Sequence, residues 1–202
     1  MAMRRLLALA AALVTMGLAG APAIEAGPLT DQVKGDLESV LRIIEETGKS
    51  GMDAPSRREA IRVVAEPVFD WREMARRSLG VHWAARSEAE QAEFVDLFRE
   101  LIQGSYITQL ERYSGEPVRF TGEKLDGNLG LVNTRIVTRR GQEIPIDYRL
   151  LNRDGRWRVY EVLVEGVSMI SNFRTQFDKL IRTSGYAELV KRLRAKGAAL
   201  QT

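Results

Sequence analysis

The residue types that could do chemistry in this chain are few, and they do not assemble. There is one histidine, His82, and no cysteine, so thiolate nucleophiles, disulfides and sulfur metal sites are excluded. His82 sits in Gly-Val-His-Trp, directly after a helix stop and beside an aromatic ring, which reads as a structural or exposed position. Glu165-Gly166-Val167-Ser168 holds a Gly and a Ser but not the G-x-S-x-G spacing that lifts a serine onto a nucleophile elbow. H-E-x-x-H, P-loop and G-x-G-x-x-G patterns are missing from the sequence. Asp70 and Glu73, three residues apart, make a helix-capping box rather than a general acid and base. The sequence therefore reads as a protein that is not an enzyme and carries no cofactor or metal.

The cations come as short pairs: Arg57/Arg58, Arg76/Arg77, Arg139/Arg140, and Lys191/Arg192 with Arg194 and Lys196. Acids intervene, and aromatics do not alternate with the pairs as a base-stacking platform requires, so nucleic acid is not an expected partner. Arg76/Arg77 and Arg139/Arg140 are the pairs best suited to a pocket mouth or a docking surface. The formal net charge of +3 includes Arg4 and Arg5; without them it is +1, or +2 if Glu25 is lost as well. Those two arginines precede an apolar run, Leu6 to Leu18, and then small residues at Ala19-Gly20-Ala21, Ala21-Pro22-Ala23 and Ile24-Glu25-Ala26. That is the layout of a secretory leader, with the mature chain starting at Ile24 or Gly27. Thirteen apolar residues rise about 20 Å as a helix, short of a roughly 30 Å bilayer core. Residues 1–23 (or 1–26) thus read as signal peptide and 24–202 as one domain, exported and stabilised by its core alone.

The elements follow from periodicity. Leu29, Val33, Leu37, Val40, Leu41 and Ile44 mark a first helix that ends near Gly48. A second opens at Asp53-Ala54-Pro55 and ends at Pro67, and a short third runs from Asp70 to Gly80. Ser87-Glu88-Ala89-Glu90 caps the longest helix, about 88–113. Its apolar residues Val95, Phe98, Ile102, Tyr106, Leu110 and Tyr113, widened by Phe94, Leu97 and Leu101, exceed half the circumference, so it must be covered on more than one side. Turn signals at Asp126-Gly127, Arg140-Gly141 and Asp154-Gly155 separate four strands near 117–125, 129–138, 142–152 and 156–164. In the third, Ile144, Ile146, Tyr148 and Leu150 share a face. Ser168 is placed to cap a following helix, and Gly166 to supply a conformation or a close approach that a Cβ would obstruct. That helix breaks at Ser184-Gly185 before a last one. The fold class is α+β: a curved antiparallel four-stranded meander covered on one face by N- and C-terminal helices. Its interior could be filled, or left as an apolar pocket between the layers.

The segments TRRGQEIPIDYRLL, DGRWRVYEVLVEGVSMI, FRTQF and RTSGY, with FDWREMARRSLGVHW and EQAEFVDLFRELIQGSY before them, resemble the MlaC-type periplasmic phospholipid-binding proteins, also called the toluene-tolerance family. The resemblance runs over roughly residues 29–195. It implies a pocket, phospholipid as cargo, a periplasmic location, and two protein partners: an inner-membrane ABC lipid-transport complex and an outer-membrane lipoprotein. The protein would work as a monomer. On that reading the lipid-binding candidates are Phe98, Leu101, Ile102 and Tyr106 on the long helix. On the strands they are Val132, Ile144, Ile146, Tyr148, Val162 and Val164, followed by Val167, Ile170 and Phe173. Periodicity by itself assigns each of these to ordinary core. Other apolar cargo (a hopanoid, quinone or solvent) and an exported hydrolase are the alternatives.

Overall fold

The computed structural model describes residues 27–201 other than Arg112 and Ser114, with side chains described outside 107–111 and 198–201. The expected leader and its cleavage positions fall outside this range, as does the Leu110 side chain. Six α-helices and one antiparallel sheet make up the described residues: α1 Pro28–Lys49, α2 Ala54–Ala65, α3 Trp71–Leu79, α4 Glu88–Glu111, β1 Val118–Asp126, β2 Leu129–Val137, β3 Glu143–Arg153, β4 Arg156–Val164, β5 Val167–Ser168, α5 Met169–Ser184 and α6 Tyr186–Gln201. Among them no helix is long and apolar enough to cross a membrane.

The sheet is a pure meander, β1-β2-β3-β4-β5. Its fifth strand is the departure from the expected four. Glu165 (φ 52°) and Gly166 (φ 77°) both take positive φ, as do Asp154 (φ 55°) and Gly155 (φ 79°). Two consecutive positive-φ residues make a type I′ hairpin turn, which folds Val167–Ser168 back onto β4 in the register Val164↔Val167. Gly166 is there for its conformation alone, because a Cβ would meet no atom within 4 Å. Ser168 does cap α5, its hydroxyl accepting from the Ser171 amide at 2.9 Å.

Two bulges curve the sheet. The β1–β2 register shifts between Phe120 and Gly122, and the β3–β4 register between Arg149 and Leu150, where Tyr160 is the extra residue. Past the first bulge Glu123 lies directly opposite Val132 and reaches the open end of α1, its carboxylate accepting from the Thr30 amide at 2.7 Å. Leu29, fully buried, lies over Gly130, where an added Cβ would come within 2.6 Å of the leucine. The Gln32 side chain completes the anchor by hydrogen bonding both the carbonyl (2.7 Å) and the amide (3.2 Å) of Trp157. The first turn of α1 is thereby fixed onto the sheet.

The buried residues form three clusters. One lies between the sheet and α1 (Leu29, Val33, Val132, Leu150, Val159). One belongs to the helical layer of α3, α4, α5 and α6, around Phe94, Phe98 and Phe177. The smallest joins α1 to α2 through Val40, Ile44 and Ile61. Phe69 packs against both of the larger clusters, and side chains of all three line a common space.

Candidate functional site

That space is a cavity of about 570 Å³. The sheet contributes Ile146 and Tyr148 from β3 and Val159, Val162 and Val164 from β4; Ile136 and Thr138 come from β2 and the turn after it. Ile146 lies directly opposite Val164, and Tyr148 opposite Val162, so alternation on two strands delivers one continuous apolar wall. Helix α1 faces it with Val33, Leu37 and Val40, spaced i, i+4, i+7. Ile102 and Tyr106 of α4 form a third side. Ala65, Val68 and Phe69 close one part and Met169 another, with Tyr113 and Glu116 from the α4–β1 connection.

The electrostatics of this lining are nearly blank. Among the described residues, Asp36 and Glu116 are the only charged ones that line it, and neither is a cation. Both acids lie near guanidinium groups, Asp36 at 3.8 Å from Arg156 and Glu116 at 3.8 Å from Arg139. The Tyr113 hydroxyl donates to the Glu116 carbonyl at 2.9 Å. Burial pushes the Tyr148 phenol up, an effect the Thr134 hydroxyl beside it partly offsets. Burial likewise raises Tyr106. Phenols kept neutral, aliphatic walls and acids each near a guanidinium suit hydrocarbon; they give a developing charge little to lean on.

Six of the thirteen residues singled out from the sequence line this cavity: Ile102, Tyr106, Ile146, Tyr148, Val162 and Val164. Seven are placed elsewhere. Val132 is fully buried beneath α1. Phe98, Leu101, Ile170 and Phe173 belong to the packed helical layer, where the Phe98 ring meets Phe173 edge-on at 5.5 Å. Ile144 shares the inward face, opposite Ile136, but is not part of the lining. Val167 is 57% exposed on β5. The α1 stripe, Val33, Leu37 and Val40, lines the cavity without having been singled out. Its periodicity was legible, but nothing in a stripe says whether it faces side chains or a hollow.

The groups that looked most chemical lie outside the cavity. His82 Nε2 is 2.8 Å from Asp178 Oδ1. Arg182, and then His82, hold that carboxyl below its usual range. The two arginine pairs have different fates. Arg76 and Arg77 both bond the buried Glu73 carboxylate, at 2.7 and 2.6 Å. Arg153 lies 3.0 Å from Asp70 and 3.4 Å from Glu73, and Arg77 stacks on Tyr160 at 4.1 Å. This network ties α3 to the sheet and holds Glu73 down at about 2, chiefly through the Arg76 hydrogen bond. Arg139 and Arg140, by contrast, sit on the β2–β3 turn directly after the cavity residue Thr138. Among the described residues no cluster of His, Asp or Glu is arranged to hold a metal ion.

Comparison with known proteins follows the same geometry. The model of the MlaC protein family matches residues 36–195. An intermembrane phospholipid transport system binding protein from Haemophilus influenzae is 26% identical over 120 residues, 57% of this chain and 56% of that protein. The toluene tolerance protein ttg2D of Pseudomonas putida is 25% identical over 158 residues, 77% of this chain and 71% of that one. A phospholipid-binding protein from Ralstonia solanacearum, solved in complex with a phospholipid, superposes with a TM-score of 0.76 at 20% identity, covering 85% of this chain and 98% of its own. The family match takes in every strand of the sheet and the whole cavity wall except Val33, and on that footing the chain belongs to the MlaC family.

Proposed function

We propose that this protein is a periplasmic carrier that shelters glycerophospholipid acyl chains in the cavity between sheet, α1 and α4. It would pass lipid between an outer-membrane lipoprotein partner and an inner-membrane ABC complex. The observation that carries this reading is the lining: aliphatic and aromatic on three sides, with two acids and no cation among its described residues. The names of the relatives, a binding protein of a phospholipid transport system among them, support the same cargo.

The energetics suit a shuttle. Each methylene leaving water gains about 0.8 kcal/mol, so two acyl chains with roughly 30 methylenes gain on the order of 24 kcal/mol. A bilayer offers nearly the same. A carrier whose pocket only matches hydrocarbon, with weak contact at the head group, can therefore load and unload when it docks. Catalysis has no part in this, and His82 in its pair with Asp178 is structural.

Native mass spectrometry of protein secreted through its own leader, with lipid extraction and identification, tests the proposal. Glycerophospholipid masses, on a chain beginning at Ile24 or Gly27, are the expected result. A hopanoid or quinone in their place would overturn it.

A further inference from the structure

A second hollow lies on the other side of α4. The adjacent residues Leu101 and Ile102 face opposite ways, Ile102 into the cavity and Leu101 into a groove of about 470 Å³ between α5 and α6. The groove has an apolar floor in which Leu101, Phe177, Leu189 and Leu193 are buried and Phe173 and Leu180 half-buried. Three cations stand around it, Lys179, Arg192 and Lys196, and no Asp or Glu lines it among the described residues. Arg192 is engaged by Glu188 at 2.8 Å. Lys179 and Lys196 have no acidic partner among the described residues.

The charge around this groove is out of proportion to the rest of the chain. Residues 169–197 hold seven Lys or Arg against two Asp or Glu, while the chain without its leader is nearly neutral. The remainder is therefore net acidic; Arg182, Arg192 and Arg194 are paired with Asp178, Glu188 and Glu93, and Lys179 and Lys196 keep the groove's rim positive. Its apolar floor is recessed below the cations. A flat bilayer reaches protruding residues; a recessed floor is reached by side chains projecting from a narrow ligand. From Gln176 to Ser184 the groove runs along nine residues of α5, about 12 Å, which accommodates roughly two turns of helix.

We propose that the α5–α6 groove is a docking site for an acidic amphipathic helical segment of a partner protein. Leucine-type side chains at i, i+3/i+4 and i+7 would fill the floor, and flanking carboxylates would meet Lys179, Lys196 and Arg192. Because α4 separates groove from cavity, docking here leaves the cargo in place. The interaction goes beyond lipid binding and does not depend on it.

The test uses the full mature protein and two synthetic helical peptides of equal apolar pattern, one flanked by Glu and one by Lys. The Glu peptide is expected to bind saturably and to shift the methyl resonances of Leu180 and Leu193. Binding should weaken as salt rises, and by about tenfold in the double variant Lys179→Glu, Lys196→Glu. Both substitutions are on the surface, and bound lipid and melting temperature, measured in parallel, should stay as in the parent. Equal binding of the Lys peptide, shifts at Ile146 and Val162 instead, or indifference to the double variant would each overturn the proposal. So would binding to phosphatidylglycerol vesicles that the double variant abolishes while peptide binding is absent, which would make the face a membrane contact.

Discussion

Glu73 shows how one side chain sets a pH dependence. It is 4% exposed, and Arg76, Arg77 and Arg153 converge on it. Its folded pKa of about 2 lies below the ordinary carboxylate value, so its contribution to stability is fully present above pH 4.5 and lost as pH falls toward 2. The shift is worth about 3 kcal/mol unscreened. The arginine partners are 37–49% exposed, and solvent screening trims the contribution to roughly 2 kcal/mol. Denaturant titrations of Glu73→Gln beside the parent should differ by that amount at pH 6 and converge near pH 2; a gap that persists at pH 2 would rule this account out. Also at this scale, Ile146→Trp puts a large ring into the cavity wall opposite Val164. Lipid occupancy is expected to fall at least about twofold, with a stability change under about 1.5 kcal/mol because the ring enters a hollow rather than packed core. Full lipid occupancy in the variant would remove Ile146 from the site.

At the scale of elements, two glycines do different work. Gly130 lets Leu29, and with it the first turn of α1, approach β2. Gly130→Ala crowds that contact and should destabilise by about 1–3 kcal/mol. Because α1 carries Val33, Leu37 and Val40, loss of lipid should exceed what the unfolded fraction accounts for. Gly166 makes no close contact and serves only the positive φ of the β4–β5 turn. Gly166→Val should cost about 1–2 kcal/mol in backbone strain, with lipid occupancy following the folded fraction alone. Melting curves paired with bound-lipid mass spectra read both variants; the same pattern from each would show that α1 docking and the β4–β5 turn are not distinct in function.

At the scale of the whole molecule, the three core clusters border one space, which cargo would complete on the proposed function. A ligand held at 100 times its dissociation constant stabilises the folded state by on the order of 3 kcal/mol. Stripping lipid should lower the melting temperature by roughly 5–10 °C for a chain of this size. Hydrogen exchange should rise along α1 and the cavity side of α4, while the Phe94–Phe98–Phe177 cluster keeps its protection. Equal melting points with and without lipid would mean that the cavity does not hold it.

The elements were legible in the sequence because each is governed by local rules. Strands 117–125, 129–138, 142–152 and 156–164 end within a residue or so of the observed ones, since positive φ at Gly127, Gly141 and Gly155 is a property of the turn itself. Helix starts at Asp53, Asp70 and Ser168 were equally readable, because a cap needs only its own side chain and an amide two or three residues on. The short β5 escaped because Glu165-Gly166 reads as a corner until positive φ at Glu165 turns it into a hairpin. Likewise the sequence placed Ile102 and Leu101, or Val132 and Tyr148, on equal terms. A buried leucine and a cavity-facing one follow the same periodicity and satisfy the same hydrophobic preference. Only the tertiary arrangement decides between them: bulges curve the sheet, Gly130 and Gln32 fix α1 above it, and Phe98 packs into the helical layer while Ile102 on the same helix faces the cavity.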